Sequence, residues 1–179
     1  MQIKNLKTNF NTTEITAVID VWKNNIDFVF CQSLSKKYDL LIKPNFHITI
    51  IGSSTGKKIL ELIANFWENE KEVIISRIRN LFIQTKWSIE LVEEFYYIEK
   101  YYHEEWLPEE KRESIIQLAI IKELEQFYSE LNNILDTEFY LPIQHVTLLT
   151  NSTREDKKSR WIWIYCKKDF DNFNPKRIK

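Results

Sequence analysis

The chain of 179 residues contains three histidines, at positions 47, 103 and 145, and two of them are followed two residues later by threonine. The motifs read His47-Ile48-Thr49 and His145-Val146-Thr147, with a β-branched residue in the middle of each. With threonine this sparse, two such matches among three histidines are a chance event on the order of 1%. In a strand, residues i and i+2 face the same side. Each motif therefore offers an imidazole and a hydroxyl about 7 Å apart on one face. Two such strands side by side surround a phosphate with two titratable groups and two neutral donors. One neutral imidazole can take a proton from an attacking water or ribose hydroxyl, and a protonated one can donate to the leaving oxygen. Threonine hydroxyls can hydrogen-bond the non-bridging oxygens as charge builds there. A lone buried His-x-Thr is more often a satisfied core histidine. A matched pair on one face is costly to bury without a ligand or water.

Other residues are weighed against that constellation. His103 lies in the charged run Tyr102-His103-Glu104-Glu105 and reads as exposed. Arg112 follows a charge run and is either a solvated loop residue or a phosphate or base contact at the mouth of a cleft. Trp161, Trp163 and Tyr165 alternate with Ile162, Ile164 and Cys166, which makes one strand face aromatic, for core packing or for base stacking. We assign Arg112, Tyr97 and Trp163 to substrate binding. Arg154, Lys157, Lys158 and Arg160 follow the second motif and could touch an oligonucleotide tail. No third or fourth ligand stands at zinc-like spacing from the histidines. The Gly52-to-Gly56 stretch lacks the lysine and spacing of a P-loop. No metal and no cofactor is expected.

The elements that must position these residues follow from periodicity. Thr12 to Trp22 carries apolar residues at Ile15, Val18, Ile19 and Trp22, which predicts a capped amphipathic helix. Residues 26–31 read as a strand and 33–39 as a turn. The apolar run 46–51 predicts the strand bearing the first motif. Both glycines of the chain, Gly52 and Gly56, fall just after it and predict a tight turn needing positive φ. Helical stripes follow at Ile59, Ile63, Phe66 and Trp67, and at Ile74, Ile78, Leu81 and Phe82. Alternation from Trp87 predicts a strand, 103–113 a surface loop and 114–121 another strand. The clearest helix is marked by Leu124, Phe127, Tyr128, Leu131, Ile134 and Leu135. Residues 144–150 predict the strand of the second motif, 151–159 a polar loop and 161–166 a last strand. A loose duplication emerges, because each half carries a helix, then Pro44 or Pro142, then a histidine inside an apolar strand.

Composition bounds the function. At 179 residues, one domain spanning 1–179 is expected. Twenty-five Lys and Arg balance 26 Asp and Glu, which argues against coating duplex nucleic acid through many phosphate contacts. Six tryptophans and 14% aromatic residues can supply a base-stacking surface as well as a core. No run of about 18 apolar residues is present to span a membrane, and the N-terminus lacks an apolar signal region. Cys31 and Cys166 sit in apolar runs and resemble buried strand residues more than a disulfide framework. The expected address is cytoplasmic, though an untagged secreted effector shares these features.

Paired His-x-Thr motifs 98 residues apart, one per half of such a chain, resemble the 2H phosphoesterase superfamily. That superfamily includes the bacterial 2′-5′ RNA ligase and cyclic phosphodiesterase family and phage hydrolases of cyclic-nucleotide immune signals. Arg112-Glu113-Ser114-Ile115, Phe127-Tyr128 and the stretch from Pro142 to Thr150 look most like its Swiss army knife, RNA-repair-like branch. The resemblance implies an α+β, bilobal fold in which two pseudo-symmetric antiparallel sheets flank a cleft, with helices outside. His47, Thr49, His145 and Thr147 would face one another there. The expected activity is metal-independent hydrolysis of a ribonucleotide phosphodiester: a cyclic phosphate, a 2′-5′ or 3′-5′ oligonucleotide linkage, or a cyclic oligonucleotide. A binding module for RNA ends or cyclic nucleotides without turnover, or an RNA-end ligase, would use the same residues. The expected partner is a ribonucleotide or short RNA, not duplex DNA and not a membrane, with the chain acting as a monomer.

Overall fold

The computed structural model describes residues 2–3, 6–103, 105–106, 108–154 and 162–178. Among these residues it is a mixed α+β fold with five α-helices and an eight-stranded sheet whose neighbouring strands all run antiparallel. The chain opens on a hairpin of β1 (Lys7–Asn11) and β2 (Thr16–Val21). The helix expected from Thr12 to Trp22 does not form. Ala17, Ile19 and Val21 are buried while Thr16, Val18 and Asp20 face the other side, a period of two. A short β-branched run fits either template, and pairing with two neighbouring strands decides for the strand.

The opposite correction applies next. Residues expected as strand and turn form α1 (Phe28–Tyr38), because the Asp27 carboxylate accepts from the Phe30 amide at 2.8 Å and caps the helix. Cys31 and Leu34 are the buried stripe of α1, so Cys31 is a helix residue and not a strand residue. Burial pushes its thiol up to about 11, which leaves it an inert core group. Neither Cys31 nor Cys166 is disulfide-bonded. Asp39, at φ 55°, ends the helix in the left-handed region.

After the short β3 (Leu41–Ile42) come β4 (Phe46–Ile51), α2 (Ser53–Ile63) and α3 (Glu68–Gln84). Both glycines keep negative or unexceptional φ, so positive φ is not what requires them. Gly52 is the N-cap of α2, with φ −82°. A Cβ on Gly56 would lie 2.2 Å from the Glu14 carbonyl oxygen and 2.6 Å from that of Ile15. Gly56 is required because α2 meets the β1–β2 turn backbone to backbone.

The second half holds the long hairpin β5 (Ile89–Tyr102) and β6 (Glu110–Ile121), then α4 (Leu124–Leu135) and β7 (His145–Ser152). Residues 110–113, expected in a surface loop, belong to β6. α5 (Lys167–Asn172) and β8 (Lys176–Ile178) close the described chain. The strand expected over 161–166 falls partly outside the described residues at Trp161, and residues 162–165 take no regular secondary structure.

Strands lie in the order β1-β2-β4-β7-β6-β5-β8, with β3 on β7. β4 and β7 meet near the middle through the pair Ile48↔Val146. Ile48, Ile50, Val146 and Leu148 join Ile59, Ile78, Phe82, Phe127 and Leu131 of the helices in the main core. A smaller cluster of Ile98, Ile116, Ile162, Ile164 and Phe170 packs on the other side of the β5–β6 hairpin. Neighbouring strand residues alternate between the two clusters, Tyr97 with Ile98 and Ile115 with Ile116, as the pleat demands. No helix among the described residues is long and apolar enough to cross a membrane.

Candidate active site

Alternation along β4 buries Phe46, Ile48 and Ile50 and leaves His47 and Thr49 partly accessible. Along β7, Val146 and Leu148 are buried and His145 and Thr147 partly accessible. All four side chains line one cavity of about 60 Å³. Continuing the antiparallel register from Ile48↔Val146 sets His47 across from Thr147 and Thr49 across from His145. The two histidines then lie on a diagonal of the sheet, with backbones on the order of 7–8 Å apart. That volume holds a few waters, at about 10–15 Å³ each, or a group of phosphate size.

The two imidazoles differ in their surroundings. His145 Nδ1 lies 2.8 Å from the Ile143 carbonyl oxygen. A carbonyl only accepts, so Nδ1 carries the hydrogen and the neutral ring keeps its lone pair on Nε2. Burial holds His145 below the usual imidazole range; the Ile143 carbonyl opposes this and neighbouring His47 adds to it. His47 is also held down, first by burial and then by the Lys43 ammonium, while Asp20 pulls the other way. Asp20 is its register partner on β2, and the Asp20 carboxylate also accepts from the Asn9 amide at 2.9 Å.

Lys43 reaches the site through a bulge. Ile42 pairs with Leu149 and the Lys43 amide donates to the Leu148 carbonyl at 2.9 Å, yet Ile48 already pairs with Val146. The extra residues 43–45 loop out where Pro44, lacking an N–H, gives up no ladder bond. Lys43 and Asn45 both line the cavity. Burial also lowers the Lys43 ammonium from its ordinary value.

The far wall comes from helices. Gly52, Ser54 and Thr55 at the N-terminus of α2 line the cavity, and no side chain caps that terminus. The positive end of the helix dipole thus lies at the same cavity as the histidines. Tyr128 of α4 donates its hydroxyl to the Ile50 carbonyl at 2.8 Å, which ties β4 to the wall. Sequence reasoning missed Lys43, Asp20, Ser54, Thr55 and Tyr128 as site residues. Pro44 ahead of the motif and the Gly-Ser-Ser-Thr run after it were the available signals.

Of the three residues assigned to substrate binding, Trp163 lines the cavity together with Tyr165, Ile162 and Ile164, and the two isoleucines also belong to the smaller cluster. Arg112 does not line it. Leu118 pairs with His145 but Arg112 pairs with Ser152, which places Arg112 about 20 Å along the strand. It is buried, with Nε donating to Glu110 at 2.8 Å, Nη2 donating to Glu110 at 2.9 Å, and its guanidinium 3.8 Å from the Tyr102 ring. Tyr97 also lies elsewhere, stacked on Tyr38 with centroids 5.5 Å apart and bonded to Glu113 and Glu99. His103 is exposed and pairs with Glu109 at 3.0 Å. Arg154 is described, and its amide donates to Ser152 Oγ at 3.1 Å. Lys157, Lys158, Arg160 and Trp161 lie outside the described residues. Among the described residues, no three His, Cys, Asp or Glu side chains gather as a metal ion would require.

Compared with protein-family models, curated proteins and solved structures, the chain matches none of them.

Proposed function

We propose that this protein is a phosphodiesterase of the 2H type, cleaving a ribonucleotide phosphodiester by two-histidine acid–base catalysis. The observation that carries the reading is the convergence of His47, Thr49, His145 and Thr147 on one phosphate-sized cavity from adjacent strands. In the same reading β4 and β7 are counterparts. Each begins at or beside its histidine, and each pairs antiparallel with a strand of its own half, β2 or β6.

The surroundings divide the labour. His145, with Nδ1–H held by Ile143, takes the proton of the attacking water or ribose hydroxyl on Nε2. His47, which burial and Lys43 hold down but whose register partner Asp20 favours the protonated form, donates to the leaving oxygen. Thr49 and Thr147 donate to the non-bridging oxygens. Lys43 and the α2 N-terminus offset the added negative charge.

Testing this takes a panel of 2′,3′- and 1″,2″-cyclic phosphates, 2′-5′ and 3′-5′ oligoribonucleotides and cyclic oligonucleotides. Hydrolysis of at least one, lost in His145→Ala, is the expected result. Tight binding with no turnover of any would make the protein a binding module instead. Turnover should also survive EDTA, because two imidazoles supply the base and the acid that a metal-bound hydroxide would otherwise provide. Loss on chelation, restored by one divalent ion, would move the protein to another reaction class.

The pH profile carries a sign. Both rings are held below the ordinary imidazole value of 6.5, so in the free protein the state with one ring charged and the other neutral is most populated on the acid side of it. The profile of kcat/KM should be a bell with its maximum below pH 6.5, its limbs belonging to the coupled pair. Asp20→Asn removes the one influence raising His47, so the alkaline limb should move to lower pH. A flat profile, or a maximum well above 7, would contradict this description.

A further inference from the structure

The cavity that the two motifs share, at about 60 Å³, lies on one side of His47. An open recess of about 1230 Å³ begins at its edge, and His47 and Asn45 border both. The recess is lined by Trp22, Asn24, Asn25, Lys7 and Lys23 together with Asp20. Trp22 leaves half of its surface exposed, at 50%. Its position is set by a 3-10 turn, with the Asn25 amide donating to the Trp22 carbonyl at 2.9 Å and the Ile26 amide to that of Lys23 at 3.1 Å.

From these residues we infer a nucleoside subsite on the His47 side of the phosphate. An indole face stacks on any base, asparagine amides match the donor and acceptor pattern of a base edge, and lysines meet a following phosphate. Among the described residues, Asp20 is the only carboxylate lining the recess, and it already has Lys7 at 3.8 Å and the Asn9 amide as neighbours. The inference rests on the phosphodiesterase reading and narrows its substrate. As water or a 2′-hydroxyl forms its bond to phosphorus, His145 receives the nucleophile's proton. The bond from phosphorus to the leaving oxygen breaks, and that oxygen takes its proton from His47. Because the recess opens beside His47, the nucleoside at Trp22 is the one that leaves. The substrate class is then a phosphodiester whose leaving oxygen is carried by a nucleoside, as in a dinucleotide or longer oligonucleotide.

The test uses the full-length protein with Trp22→Ala and Trp22→Phe. Relative to a nucleoside 3′-methylphosphate, whose leaving group carries no base, Trp22→Ala should lower the kcat/KM preference for a dinucleoside monophosphate about 5- to 100-fold, the span expected for one stacked base. Trp22→Phe, which keeps a ring, should restore most of it. Calorimetric titration of the dinucleotide into the His47→Ala/His145→Ala protein, with and without Trp22→Ala, should show the same ratio in Kd. His-dependent turnover with an unchanged preference in Trp22→Ala would overturn the subsite and leave the phosphodiesterase reading standing. Trp22-dependent binding with no turnover of any substrate would do the reverse.

Discussion

Replacing His145 by alanine should lower kcat about 10²–10⁴-fold on whichever phosphodiester the protein cleaves, and His47→Ala should do the same. Each substitution removes one end of a proton path. Without His145 no Nε2 lone pair waits for the nucleophile's proton. Without His47 the leaving oxygen departs as an alkoxide. The two losses should not multiply, because a base without an acid gains little, and the double variant should be close to the worse single one. Thr49→Val and Thr147→Val should cost less, since each removes one hydroxyl donor and leaves proton transfer in place. Ground-state binding should survive in the histidine variants, since Lys43, the threonines and the α2 N-terminus remain. Single-turnover rates on the same substrate check the ordering. Full activity in His145→Ala would sink the mechanism, and so would a double variant slower by the product of the singles.

The largest effect on stability should come from Arg112→Met. The guanidinium is 4% exposed, pairs with the Glu110 carboxylate, which is itself 3% exposed, and lies over Tyr102. Removing it leaves the buried Glu110 carboxylate without its guanidinium, while the Ser152 hydroxyl still donates to it from 2.6 Å. Breaking a buried pair from one side costs about 3–5 kcal/mol. For a chain of this size that lowers Tm on the order of 10 °C. Glu110→Gln/Arg112→Met should recover much of the loss, because the carboxylate is removed together with its guanidinium partner. Urea unfolding of the single and double variants measures this directly. Activity per folded molecule should change little, since Arg112 is far along the sheet from His145. A stable Arg112→Met with a raised KM would instead return Arg112 to the substrate.

Much of the candidate site was legible because strand alternation is local. Once residues 46–51 are extended, His47 and Thr49 must share a face opposite Ile48, whatever the rest of the chain does. The same holds for His145, Thr147 and Val146. The α4 stripe from Leu124 to Leu135 was equally legible, since twelve residues with a 3.6-residue period allow no strand reading. Short apolar runs gave no such protection. Residues 16–21 and 28–31 each fit the wrong template, and strand pairing in one case and the Asp27 cap in the other decided the outcome.

By itself, then, the sequence determined which residues could do chemistry and which side of its own strand each would face. The tertiary structure decided who their neighbours are. Asp20 comes beside His47 through the β2–β4 register, Lys43 enters on a bulge whose size depends on where β3 and β4 each meet β7, and Arg112 is drawn to Glu110 and away from the cavity. Facing is a property of one chain segment's dihedral angles. Adjacency depends on register between segments far apart in sequence, and that register is settled only when the shared core is packed.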